Sequence, residues 1–117
     1  MRDILVVEDD VNSQEVVTDI LSFNGLTVHI ANSGEEALQN LEMHHYDAVL
    51  IDLQLPGMDG WELLRSIQTI SSAPCIAITA YDNEKVEQAA YQAGFIGYFG
   101  KPFDILTFGR RVLEFIA

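Results

Sequence analysis

Four short apolar runs in this 117-residue sequence end in residues that can do chemistry. Glu8 and Asp9 follow the first run, Asp52 ends the second, Thr79 ends the third, and Lys101 follows the fourth. Short runs of this kind are typical of strands that are buried on both faces of a parallel sheet. In open parallel sheets, ligands bind just outside the carboxyl ends of the strands. The sequence therefore predicts a site at that edge of a sheet, built from carboxylates, a hydroxyl and an ammonium group.

The carboxylates of this set are suited to a hard metal ion. Carboxylates that are crowded together repel one another at pH 7 unless a proton, a lysine or a metal ion offsets their charge. Mg²⁺ prefers oxygen ligands, usually takes one or two carboxylates, and keeps several waters. We expect Asp9 and Asp52 to be direct ligands, Glu8 to act through a metal-bound water, and Gln54 to supply its backbone carbonyl. Lys101 would offset part of the remaining charge.

Asp52 has a further chemical possibility beyond metal binding. A carboxylate can act as a nucleophile toward phosphorus and form an acyl phosphate. A bound metal ion would then neutralise phosphoryl oxygens. The Thr79 hydroxyl could donate to one phosphoryl oxygen, and the Lys101 ammonium could pair with another. The same residues are thus candidates for catalysis of phosphoryl transfer.

Strand-like and helix-like patterns alternate five times along the chain, which predicts a doubly wound α/β fold with helices on both faces of a parallel sheet. The length predicts a single domain over residues 1–117. The predicted strands cover about 3–8, 26–31, 47–52, 74–79 and 96–99. The predicted helices cover about 12–24, 34–43, 60–69, 83–93 and 103–116.

The predicted helix ends carry recognisable capping residues. Gly25 and Gly94 follow two of the helices and can adopt the left-handed conformation of a C-terminal cap. Ser33 and Asp59 precede two others in capping-box patterns. The fourth helix has a thin apolar stripe made mainly of alanines, so we expect it to be weakly held.

Composition limits the classes of partner. The net charge of −12 and the isoelectric point near 4.3 oppose direct binding to nucleic acid or to an anionic membrane. Cys75 is the only cysteine, so no internal disulfide can form, which favours a cytoplasmic location. No apolar run approaches the roughly 18 residues that a membrane-spanning helix requires.

Four segments, in this order and at this spacing, resemble the receiver domain of two-component response regulators. They are Ile4–Asp10, Asp52–Gly60, Ile78–Ala80 and Tyr98–Phe103. The resemblance covers residues 3–116. It implies a flavodoxin-like fold, in which five helices surround a five-stranded parallel sheet of order 2-1-3-4-5.

The resemblance also implies roles for individual residues. Asp52 matches the phosphoacceptor, and Glu8, Asp9 and Asp52 match the Mg²⁺ site. Thr79 and Lys101 match the hydroxyl and the lysine that contact the phosphoryl group. Thr79 and Tyr98 match the switch pair. The Lys101–Pro102 peptide bond would be cis.

The implied function is that of a signalling receiver rather than of an enzyme with an external substrate. A histidine kinase or a phosphotransfer protein would give its phosphoryl group to Asp52. The receiver would itself promote that transfer and the later dephosphorylation. Because the sequence contains no recognisable output domain, we expect it to act on a downstream protein through the face formed by residues 83–116.

Three other functional classes match parts of the pattern. The main alternative is a metal-dependent phosphatase with an aspartyl-phosphate intermediate, although phosphatases of the haloacid dehalogenase type would have a second Asp where Gln54 stands. A flavin carrier would need a first loop rich in Ser, Thr and Gly, whereas Glu8, Asp9 and Asp10 would repel a phosphate. A DNA-binding regulator is opposed by the net charge.

Overall fold

A five-stranded parallel sheet forms the centre of the molecule in the computed structural model, which describes residues 2–116. Residues 1 and 117, the two ends of the expected domain, lie outside the described residues. The strands are β1 (Asp3–Val7), β2 (Thr27–Ala31), β3 (Ala48–Asp52), β4 (Cys75–Thr79) and β5 (Gly97–Gly100). Their order is β2-β1-β3-β4-β5, with every neighbouring pair parallel. This arrangement confirms the predicted flavodoxin-like topology.

Five helices alternate with the strands along the chain. They are α1 (Val11–Phe23), α2 (Gly34–Met43), α3 (Gly60–Ile70), α4 (Glu84–Ala93) and α5 (Phe108–Ile116). All strand ends and the ends of the first four helices lie within one residue of the sequence prediction. Among the described helices, none is both long and apolar enough to cross a membrane.

The helices cover both faces of the sheet, because alternate side chains of each strand point to opposite faces. One buried cluster joins the sheet to α2, α3 and α4, and includes Leu63 and Ala90. The other joins the sheet to α1 and α5, and includes Val17 and Phe108. Each large side chain buried in this way contributes roughly 1.5–3 kcal/mol of hydrophobic stabilisation. The loops at the carboxyl ends of the strands are therefore attached to a sheet that is packed on both faces.

The predicted helix caps are present. The side chains of Ser33 and Asp59 accept hydrogen bonds from backbone N–H groups in the first turns of α2 and α3, at 3.1 and 2.9 Å. Gly25 and Gly94 have φ values of +83° and +118°, the left-handed region that glycine tolerates. Ala90 is the only buried residue of α4, which agrees with the expected weak anchoring of that helix.

The last helix begins at Phe108, so the predicted start near residue 103 is wrong. The side chain of Asp104 accepts a hydrogen bond from the Leu106 N–H at 2.9 Å, and its carbonyl accepts one from the Thr107 N–H at 3.2 Å. Asp side chains of this kind favour a local turn over a helix. The ring of Phe103 stacks on that of Phe108 with centroids 4.2 Å apart, which fixes the turn against the helix.

Candidate functional site

The sheet topology brings the carboxylates of the first and third strands together at one edge. Glu8 directly follows β1, and Asp52 is the last residue of β3, the strand that pairs with β1. Glu8 is fully buried, Asp52 is 5% exposed, and Asp9 is exposed. Carboxylate oxygens of Glu8, Asp9 and Asp52 all lie within 4.8 Å of one another.

The loop after β1 is held by hydrogen bonds that set the position of Glu8. Its backbone N–H donates to the carbonyl of Ala31 at 3.1 Å, which extends the pairing with β2 by one residue. The amide of Gln14 donates to the Glu8 carbonyl at 2.6 Å and to the Asn32 side chain at 2.7 Å. Asp10 caps α1 by accepting from the Ser13 N–H at 2.9 Å. The acidic loop is therefore anchored on both sides.

The loop after β3 is compact because Gly60 allows α3 to begin directly beside Asp52. A Cβ atom at Gly60 would lie 2.6 Å from the Asp52 carbonyl oxygen and 2.8 Å from Leu53 Cα, closer than van der Waals contact permits. The backbone N–H of Gln54 donates to Asp52 Oδ1 at 2.9 Å. This bond holds the Asp52 carboxylate at the end of the sheet and places Gln54 next to it.

Lys101 links the two buried carboxylates. Its ammonium donates to Glu8 Oε1 and, at 3.2 Å, to Asp52 Oδ2. Its backbone N–H donates to the Thr79 carbonyl at 2.8 Å, which continues the β4–β5 pairing as far as the lysine. The Lys101–Pro102 bond is cis, as the resemblance implied.

Burial dominates the electrostatics of the cluster. Desolvation, with smaller contributions from the neighbouring Asp52, raises the pKa of Glu8 to about 7, although Lys101 acts in the opposite direction. Burial disfavours the Lys101 ammonium as well, but its contacts with Glu8 and Asp52 outweigh that effect and raise the pKa of Lys101. One ammonium beside three carboxylates leaves charge to be offset by a proton or a cation.

The donor set fits the cation that the sequence predicted. All candidate ligand atoms are oxygens, two of the three side chains are buried, and Asp9 is exposed on the solvent side. Hard cations such as Mg²⁺ are bound by one or two such carboxylates together with several waters. The site can therefore bind a hydrated divalent cation beside Asp52.

Thr79 is fully buried, and its hydroxyl is bonded to Gln54. The hydroxyl donates to Gln54 Oε1 at 2.8 Å and accepts from the Tyr81 N–H at 3.0 Å. The sequence had indicated only a backbone role for Gln54. A side-chain contact across 25 residues depends on the path of the loop after Asp52, which no local pattern in the sequence encodes.

Tyr98 is 6% exposed, and its hydroxyl donates to Asp82 Oδ1 at 2.9 Å. Burial, then the contact with Asp82, raises the pKa of Tyr98 to about 12. Gly100 makes room for this acid, since a Cβ atom there would overlap the Asp82 carboxylate. The sequence did not indicate Asp82, and its pairing with Tyr98 follows only from the neighbouring positions of the β4–α4 loop and β5.

Comparison with known proteins identifies the family. A family model described as the response regulator receiver domain matches residues 4–112. The chain belongs to the response regulator receiver domain family. Receiver domains are parts of two-component signalling systems, so this membership supports the receiver interpretation over the phosphatase, flavin-carrier and DNA-binding alternatives.

Relatives of this receiver domain come from several bacteria. The chain is 36% identical to an uncharacterized 14.6 kDa protein of Leptolyngbya boryana, over 97% of this chain and 88% of that protein. It is 39% identical to the response regulator MprA of Mycobacterium ulcerans, over 86% of this chain and 44% of MprA. The receiver domain of Francisella response regulator 1452 has a TM-score of 0.88 at 29% identity, covering 97% of this chain and 95% of that one.

Several curated relatives are longer than this receiver domain. The chain spans 49% of the transcriptional regulatory protein HprR of Escherichia coli K12 and 44% of MprA. The similarity therefore concerns the receiver part of those proteins.

Proposed function

We propose that Asp52 accepts a phosphoryl group from a histidine kinase or a phosphotransfer protein. The observation that supports this most strongly is the position of the Asp52 carboxylate. It lies at the carboxyl end of the central strand β3, within 4.8 Å of two other carboxylates and 3.2 Å from the Lys101 ammonium. A nucleophile for phosphoryl transfer needs positive charge near the phosphoryl oxygens.

Transfer from a phosphohistidine forms a bond between an Asp52 oxygen and phosphorus and breaks the bond between phosphorus and the imidazole nitrogen. The electron pair stays on the imidazole, which leaves in the neutral form because its other ring nitrogen is already protonated or because it takes up a proton as the bond breaks. Glu8, Asp9, Asp52 and the Gln54 carbonyl would hold Mg²⁺, which would neutralise phosphoryl oxygens when bound. Lys101 pairs with another of these oxygens, and Thr79 donates its hydroxyl to a third.

Loss of the phosphoryl group reverses the modification without a second protein. A water oxygen attacks phosphorus, the bond to Asp52 breaks, and inorganic phosphate leaves with the carboxylate regenerated. The exposed Asp9 keeps the site open to solvent. The receiver domain thus has self-catalysed phosphotransfer and autodephosphorylation as its own chemistry.

The surface beside the site supports a protein as phosphodonor. An apolar groove of 490 Å³ runs from Lys101 between α1 and the turn before α5, lined in part by Val16, Phe103 and Ile105. Val16 and Ile105 are 45% and 73% exposed. Exposed apolar surface next to a reactive group is typical of protein–protein contact. A donor that covers this groove brings its phosphohistidine to Asp52.

The output partner binds the face formed by residues 83–116. Tyr98 lies on this face, at a groove of 320 Å³ that also contacts Asp82 and Arg111. Phosphorylation draws the Thr79 hydroxyl toward Asp52, and the Tyr98 side chain moves into the space that this opens. The face then changes its affinity for the downstream protein.

Labelling with phosphoramidate, a small donor with a phosphorus–nitrogen bond, tests this function. Incubation with Mg²⁺ should add one phosphoryl group to the wild type, measured as intact mass. Asp52→Asn should add none, whereas Asp19→Asn, an exposed Asp on α1, should react as the wild type does. Undiminished labelling of Asp52→Asn would refute the proposal.

A further inference from the structure

We propose that Gln54 is a positioning residue that holds the Thr79 hydroxyl in a resting arrangement, and that phosphorylation of Asp52 must break this contact. The inference rests on the proposed function, because it concerns how Thr79 reaches a phosphoryl group on Asp52. It assigns to the Gln54 side chain a role separate from that of its backbone carbonyl at the metal.

The hydrogen-bonding capacity of a hydroxyl carries the argument. A Thr hydroxyl has one proton to donate. In this structure that proton is directed to Gln54 Oε1 at 2.8 Å, while a lone pair accepts from the Tyr81 N–H at 3.0 Å. A phosphoryl group at pH 7 presents only acceptor oxygens. The Thr79 hydroxyl therefore cannot donate to Gln54 and to a phosphoryl oxygen at the same time.

Gln54 is placed so that its side chain competes with a phosphoryl group on Asp52 for the Thr79 hydroxyl. Its N–H is bonded to Asp52 Oδ1 at 2.9 Å, so the residue that holds Thr79 also contacts the phosphoacceptor. The Thr79 proton can turn by rotation about the Cβ–Oγ bond, whereas the oxygen moves only by rotation about a χ1 angle that β-branching and full burial restrict. Because the hydroxyl has a single proton, the choice of partner is discrete.

Exposure limits the strength of the restraint. Gln54 is an exposed residue, so water competes for its amide. Its contact with Thr79 therefore stabilises the resting arrangement by about the net free energy of one hydrogen bond. A ligand that requires the released hydroxyl binds only to the molecules in which the hydroxyl is free. Its apparent affinity is therefore the intrinsic affinity multiplied by that fraction. Gln54 thus lowers the affinity for a phosphoryl group without affecting the carboxylates that bind the metal.

Calorimetric titration with beryllofluoride, a mimic of the phosphoryl group, measures the effect of Gln54 on this affinity in the presence of Mg²⁺. Gln54→Met keeps the length of the side chain and the backbone carbonyl but removes the acceptor. It should bind beryllofluoride about twofold to tenfold more tightly than the wild type, the range that one net hydrogen bond corresponds to. Gln39→Met, the same change at an exposed position of α2, should have no effect. Mg²⁺ titrations of all three proteins without beryllofluoride supply the reference for each comparison.

The double variant Gln54→Met, Thr79→Ala distinguishes an effect that Gln54 exerts through Thr79 from an effect that does not involve Thr79. Without the Thr79 hydroxyl, removal of Gln54 should change beryllofluoride affinity by less than a factor of two. Unchanged or weaker binding by Gln54→Met, or an equal gain in the Thr79→Ala background, would overturn the inference and leave Asp52 as the phosphoacceptor. Failure of the wild type to bind beryllofluoride would overturn the proposed function and the inference together.

Discussion

Lys101 allows Glu8 and Asp52 to lie side by side at the end of the sheet. Its ammonium contacts both carboxylates. Even with this partner, burial raises the pKa of Glu8 to about 7. A buried carboxyl with such a pKa exchanges its proton within the physiological range, so we expect that proton to compete with a cation bound beside Glu8.

Mg²⁺ affinity should fall as pH decreases through about 7, since Mg²⁺ needs Glu8 in the ionised form and a raised pKa means that the proton competes. One competing proton predicts about tenfold weaker binding at pH 6 than at pH 8. Calorimetric titration at the two pH values measures this ratio.

Glu8→Gln provides the matched control, because it keeps the shape of the side chain and removes the titrating group. Its Mg²⁺ affinity should vary much less between the two pH values. An equally steep dependence in Glu8→Gln would mean that another group competes with the metal.

Tyr98 depends on a single acid for the hydrogen bond of its hydroxyl. Asp82→Ala removes that acceptor, and Gly100→Ala displaces it through overlap with the added Cβ atom. Both variants should shift Tyr98 toward an outward rotamer, because its hydroxyl loses a hydrogen bond with a net contribution of roughly 0.5–1.5 kcal/mol. Scalar couplings of the Tyr98 side chain in NMR spectra report the rotamer populations.

Glu84→Ala, which removes another exposed acid at the start of α4, should leave those populations as in the wild type. If Asp82→Ala also leaves them unchanged, packing alone positions the ring, and Asp82 has no part in the switch.

The sequence indicated the charged residues of the candidate site but not the hydrogen-bond partners that orient them. Glu8, Asp9, Asp52 and Lys101 could be placed together because parallel strands end at one edge of a sheet. The bond between Gln54 and Thr79 could not be predicted, because it depends on side-chain directions in an irregular loop.

Helices α2 and α3 both begin with a glycine, but the two glycines have different surroundings. At Gly60, a Cβ atom would meet backbone atoms of Asp52 and Leu53 at 2.6 and 2.8 Å. At Gly34, it would meet Met58 Sδ at 2.9 Å, and that flexible side chain can move. The start of α3 is therefore fixed against β3, the strand that ends in Asp52, whereas the start of α2 has room to adjust.

Gly60→Ala should lower the free energy of unfolding by about 1–3 kcal/mol, the usual cost of overpacking. Gly34→Ala should change it by less than about 1 kcal/mol. Urea denaturation monitored by circular dichroism measures both values. Equal effects of the two substitutions would show that the close approach of Gly60 to Asp52 does not determine where α3 lies.

Element boundaries were predictable wherever caps and apolar periodicity agreed, as at Ser33 and Asp59. The exception is α5. The apolar pattern of the sequence predicted a start near residue 103, whereas the helix begins at Phe108. Phe103 resembles the first apolar residue of a helix, but it stacks on Phe108 from the preceding turn. Sequence periodicity does not distinguish these two ways of burying the same ring.

The candidate site and the proposed output face share β4 and β5. Thr79 ends β4, and Tyr98 lies on β5, the edge strand beside α4. Only Ala90 of α4 is buried, so this side of the molecule can rearrange at small cost. We therefore expect a change at Asp52 to alter the face beside α4 more readily than the face beside α1.

Hydrogen exchange with and without beryllofluoride should locate that change. Protection should differ mainly at residues 80–111, and Thr79→Ala should suppress the difference, because it removes the group that responds to the phosphoryl position. A difference concentrated in α1 instead would assign the output to another face.

We expect Asp52 to carry the phosphoryl group as an acyl phosphate. The most direct measurement treats the protein with acetyl phosphate and Mg²⁺, reduces it with borohydride, and maps the product by peptide mass spectrometry. Reduction of an acyl phosphate at Asp52 converts that residue to homoserine, and we expect homoserine at position 52 alone. Homoserine at another acidic residue, or a phosphoryl group that survives reduction on a hydroxyl such as that of Ser13, would contradict the account.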